Sequence, residues 1–224
     1  TNISAGTLKL TGGLNTSTNV VMTNSAVWDL QVAQTIAGLT MASGNSITNT
    51  SGTSSLTVTG AATLANSITT TGTQTYNGAV TLGADTSLTT TNSLVWFKST
   101  VGNSSARALT ISSGTGGVTF ANTVGAGTAL GAISISGSGT TTFSGAVTAA
   151  SLSSGTGTTA INGGSVTTTG TQTYNGAVTL GADTSLTTTN SLVWFKSTVG
   201  NSSARALTIS SGTGGVTFAN TVGA

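Results

Sequence analysis

Short runs in which apolar residues alternate with hydroxyl-bearing ones recur along the whole chain. Val80-Thr81-Leu82, Leu109-Thr110-Ile111, Val118-Thr119-Phe120 and Ile133-Ser134-Ile135 follow this pattern, as do Leu8-Lys9-Leu10 and Leu56-Thr57-Val58 nearer the start. A period of two puts one set of side chains on one side of a strand and the other set opposite. Thr, Val and Ile suit the pleated surface that results. No stretch carries a capped helical stripe, so the pattern predicts strands throughout. Between the runs lie clusters of Gly, Asn and Ser, such as Ser112-Ser113-Gly114-Thr115-Gly116-Gly117. These residues accept left-handed backbone angles and turn the chain.

A long repeat overlies this short pattern. Residues 69–126 recur without change as residues 167–224, an offset of 98. The first copy continues beyond Ala126 while the chain stops at the matching Ala224, so the sequence reads as a segment of a longer protein. Inside the repeat, aromatic anchors Tyr76, Phe97, Phe120 and Phe143 advance by 21 to 23 residues. The next step, to Tyr174, is longer and holds an extra-looking stretch from Leu152 to Val166. A fixed spacing of this size predicts stacked coils of ~20–25 residues.

An antiparallel sandwich would accept the same strands. The absence of proline favours a solenoid, because a strand between two neighbours must donate to both ladders. The expected fold is therefore all-β: a parallel β-solenoid over residues 1–224, a rod of about ten coils and ~50 Å at one strand spacing per coil. Residues 1–66 form its first part, and residues 127–166 supply coils between the identical copies. Matching side chains should form ladders, apolar inside, with Asn77, Asn122 and Asn175 placed for amide ladders at the corners.

Composition removes several classes. The only charged residues are Lys9, Lys98, Lys196, Arg107, Arg205, Asp29, Asp85 and Asp183. Nucleic acid would need clustered Lys and Arg, which are absent. Disorder normally goes with low hydrophobicity and few β-branched residues, whereas this chain is rich in Thr and Val. Its apolar runs reach about five residues, against the ~20 of a membrane-spanning helix.

Two stretches carry a resemblance. Ile3-Ser-Ala-Gly-Thr-Leu-Lys-Leu10 and the following AVWDLQVAQTIAGLTMASGNSITNTSGTSSLTVTG resemble the repeats of autotransporter passenger domains, with Trp28, Asp29 and Leu30 as the apolar-Asp-Leu step. TTAINGGSVTTTGTQTYNGAVTLGADTSL is similar to the arrays of filamentous-haemagglutinin-like surface proteins. The resemblance implies a right-handed β-helix exported by a Gram-negative bacterium to its outer surface. By that analogy, the segment would be a structural or adhesive shaft.

Catalysis is not expected. A nucleophilic triad needs a base and the chain has no His, while Asp29, Asp85 and Asp183 stand far apart. No cofactor or metal site is expected either: calcium calls for several carboxylate oxygens, and Asp85 reads as a lone acid in an Asx-turn. Gly114-Thr115-Gly116-Gly117 lacks the Lys of a phosphate loop.

The candidate contact residues are Trp96, Phe97 and Lys98, repeated as Trp194, Phe195 and Lys196. Adjacent side chains in a strand point to opposite sides, so either Trp96 or Phe97 faces outward. That outward residue is covered by a neighbouring loop, or it forms an exposed ridge along the rod for lateral packing or sugar stacking. The expected partners are cell-surface glycans or proteins, or the chain itself. An alternative role is a self-assembling subunit of an extracellular filament, sheath or surface layer. A third is ice binding, since threonine triplets begin at Thr69, Thr89, Thr140, Thr167 and Thr187. They do not recur at every coil, so a continuous Thr-x-Thr face is not expected.

Overall fold

Each strand finds its partner about one turn away along the chain, and every pairing is parallel. A computed structural model describes residues 1–223 as an all-β solenoid of about 11 turns, without helix. Three faces surround one interior. Ile36, Val58, Tyr76, Phe97, Phe120, Phe143, Ile161 and Leu180 stack up the first face. Leu39, Ala62, Val80, Val101, Val124, Val147, Val166 and Leu186 line the second. Ile47, Ile68, Leu88, Ile111 and Ile135 line the third. All of these side chains are buried.

The aromatic anchors stack inside as the spacing predicted. Tyr76 and Phe97 lie 5.2 Å apart between ring centroids, Phe97 and Phe120 4.9 Å, and Phe120 and Phe143 5.2 Å. Their planes are nearly parallel, tilted by 13°, 8° and 12°. Parallel in-register strands impose this arrangement, since the backbone spacing sets how closely rings on successive turns approach.

The column does not continue to Tyr174. Ile161 covers Phe143, and Leu180 follows it. The stretch from Leu152 to Val166 is no insertion. It is an ordinary turn with aliphatic anchors: Leu152 on the third face, Ile161 on the first and Val166 on the second. Four turns carry Tyr76 to Ile161, and the residues left before Tyr174 cross two further faces. Tyr174, Phe195 and Phe218 therefore build a second stack on the third face, at centroid distances of 5.0 and 4.8 Å. Identical sequences occupy faces one step apart around the axis.

The corners are held by hydrogen bonds that sequence reasoning missed. Gln74 is fully buried. Its Nε2 donates to the carbonyl of Ile68 at 3.1 Å and that of Thr89 at 3.0 Å, tying the preceding turn to the next. Its Oε1 accepts from the Tyr76 hydroxyl at 3.2 Å. Gln172 repeats the arrangement with Val166, Thr187 and Tyr174 on another face. Burial pushes both tyrosine pKa values far up, so the phenols stay neutral and donate.

The threonine triplets belong to the same corners. Their middle residues Thr70, Thr90, Thr168 and Thr188 point inward and are buried. Thr70 and Thr168 donate to the carbonyls of Gly72 and Gly170 at 2.7 and 2.6 Å, which closes each turn. The expected amide ladders do not form. Asn122 Oδ1 accepts from the neighbouring Thr123 amide, Asn175 donates to the Ser154 carbonyl, and the Asn77 amide oxygen has no hydrogen-bond partner among the described residues. Asn77 follows its anchor by one residue and Asn122 by two, and Asn175 stands on another face, so the three do not fall in register.

Candidate functional site

Phe97 and Phe195 turn inward, and Trp96 and Trp194 turn outward. The aromatic stack decides this, because Phe97 must align with Tyr76 and Phe120. Trp96 is half-buried between Thr75 and Thr119 on adjacent turns, whereas Trp194 is 37% exposed. The Lys98 ammonium lies 4.2 Å from the Trp96 ring centroid, and that of Lys196 lies 4.4 Å from the Trp194 ring. Such contacts are worth ~0.5–1 kcal/mol when exposed. Each pair is thus an indole plate capped by a cation. The two pairs do not form one ridge, because Trp96 stands on the first face and Trp194 on the third.

Asp85 and Asp183 also occupy matching surroundings. Asp85 Oδ1 accepts from the Ala108 amide one turn on, at 2.9 Å, and Asp183 Oδ1 accepts from the Ala206 amide at 3.0 Å. A bond between successive turns stands in place of the expected local Asx-turn. Beside each lies a shallow cleft, of about 270 Å³ at Asp85 and about 170 Å³ at Asp183. Each cleft contains one acid among Ser, Thr and Ala residues, joined by Asn66 in the first and Gly164 in the second.

Asp29 differs from both. It is buried, and its carboxylate accepts from the Thr50 amide at 2.9 Å, the Thr50 hydroxyl at 2.6 Å and Gln31 Nε2 at 3.0 Å. Burial works to raise its pKa, yet the Thr50 and Gln31 hydrogen bonds and the nearby Lys9 charge hold it below the ordinary carboxylate value. A carboxylate so fully engaged fastens its own turn to the next. Among the described residues, no group of three or more His, Cys, Asp or Glu side chains could hold a metal ion.

The outer side of the third face carries no continuous Thr-x-Thr motif, but it carries a mixed array of serine and threonine. Ser46, Ser67, Ser87, Thr110 and Ser134 stand in register in one outward column. Two positions further along each strand, Thr69, Thr89, Ser112 and Ser136 form a second, which Thr48 begins. The result is a hydroxyl-x-hydroxyl array over five successive turns. Serine supplies the rows that a search for threonine alone overlooks.

Fold and surface together define a three-sided parallel β-solenoid with an apolar, aromatic-stacked interior and a nearly uncharged exterior. No protein-family model matches the chain, and neither does any curated protein or solved structure.

Proposed function

We propose that the chain is a structural and adhesive shaft segment of a large secreted bacterial surface protein. The observation that carries this reading is the continuous apolar interior, braced by ring stacks and by the Gln74 and Gln172 corner bonds. A rod built this way resists bending, because any curvature must open a backbone ladder and part packed rings. The exported, Gram-negative part of the reading rests on the resemblance of the opening and repeat segments to passenger-domain and haemagglutinin-like sequences. The Trp96–Lys98 and Trp194–Lys196 pairs are the contact points this reading assigns to lateral association or to surface glycans.

Immunogold labelling of the intact producing bacterium tests it. A shaft is labelled on unpermeabilised cells and is seen as single rods in negative stain. Labelling only after permeabilisation overturns the surface assignment, and regular polymers of the purified chain would favour the filament-subunit role instead.

A further inference from the structure

The outward hydroxyl array of the third face has no task in a shaft. Of its ten hydroxyls, only those of Ser112 and Ser136 bond within the described protein: to each other at 2.8 Å, and from Ser136 to the Ile111 carbonyl at 3.4 Å. The remainder are left to water, and each can donate one hydrogen bond and accept two. Their positions are fixed by the backbone ladder, with apolar Ile68, Leu88 and Ile111 anchored beneath them in the core. Rows repeat every ~4.8 Å along the axis and the two columns lie ~7 Å apart. The ten side chains of the array carry no charge; Asp29 stands in register with Thr48 one row before it, and Asp85 lines the same cleft as Ser67, Ser87 and Thr110.

We propose that this face binds a crystalline water surface, with the hydroxyl rows acting as a preformed template for the oxygen rows of ice. Liquid water satisfies any hydroxyl. Only an ordered lattice engages ten of them at fixed spacing, and a rigid template loses little conformational freedom on binding. Lack of charge matters because an ion orients surrounding waters radially and breaks a planar pattern. Two other occupants fit less well. The array has no aromatic plate on which a sugar ring could stack, since Trp96 is on another face and Trp194 lies beyond the last row. It also offers little apolar area to bury against a second copy, and burial of that kind drives stable association. This inference is independent of the shaft reading, which survives if it fails.

The test is partition of the purified chain into a slowly grown ice hemisphere, together with ice-crystal growth measured below the melting point. The wild-type chain is expected to enrich in the ice and to arrest or facet growth. Thr89→Lys, in the centre of the array, should reduce both effects at least tenfold, and Thr89→Val several-fold. Thr142→Lys, outward on the first face, should leave them unchanged. Circular-dichroism melts matching wild type keep the variants interpretable. Exclusion of the wild type from ice overturns the proposal. So does equal loss in Thr142→Lys, and so does ice-independent binding to cellulose or a dimer that Thr89→Lys abolishes.

Discussion

Residues 69–126 and 167–224 are the same sequence in two settings. In both, Gln-Thr-Tyr forms a strand with the Gln and Tyr inward, Asp reaches the next turn's Ala amide, and the Lys ammonium covers the Trp ring. Yet the first copy puts Tyr76 on the first face and the second puts Tyr174 on the third. Phe120 is fully buried beneath Phe143, while the matching Phe218, on the last strand of the described residues, is 40% exposed. Local structure travels with the sequence. Orientation and cover do not.

The rotation is the sharpest point to break. The chain has no cysteine, and neighbours on adjacent parallel strands lie ~4.8 Å apart, within the Cα range a disulfide spans. Oxidising the Ser153→Cys/Thr173→Cys pair should close an intramolecular link, seen as a mobility shift without reductant, because Ser153 and Thr173 are in register. The Ala160→Cys/Thr173→Cys pair should stay open. The reverse result would put both copies on the same face.

The difference in cover predicts the next largest effect. Phe120→Ala should cost ~3–5 kcal/mol, as for other buried phenylalanines, and Phe218→Ala no more than about a third of that. Chemical denaturation of the two variants measures both, and equal losses would mean that the two stacks are equally enclosed. The corner network predicts a smaller effect, equal in the two copies. Gln74→Ala or Gln172→Ala leaves buried carbonyls and a phenol without their partner, at ~1–3 kcal/mol each. Unequal costs would show that the corner depends on its face after all.

Asp29, outside both copies, supplies the smallest and a pH-dependent effect. Its folded pKa lies below the ordinary value, so the unfolded chain binds its proton more readily. Stability from this group is therefore present above the ordinary carboxylate range and is lost as pH falls through the folded value. Asp29→Asn should flatten that acid limb of a thermal-melt series, and an unchanged acid limb would remove the carboxylate from the account.

Much of this was legible in residue order. Val80-Thr81-Leu82 and its relatives marked the strands, and the spacing of Tyr76, Phe97, Phe120 and Phe143 marked a shared interior column. Parity would also have found Gln74: it lies two residues before Tyr76 and so must point the same way, but its polarity hid it. The same parity, applied from Phe120 through Phe97, places Trp96 outside. The position of Tyr174 was hidden for a different reason. The turn between Phe143 and Ile161 carries no aromatic mark, so nothing local counts it as a turn.

Sequence alone determined that this chain forms short strands, turns at Gly and Asn, and buries one side of each strand, because those properties depend on neighbours a few residues apart. Which face a segment occupies was decided only by the assembled solenoid, since it depends on the summed lengths of all earlier turns. The hydroxyl rows of the third face have the same origin. Ser67, Ser87 and Thr110 are unremarkable one by one, and become an array only when successive turns bring them into register.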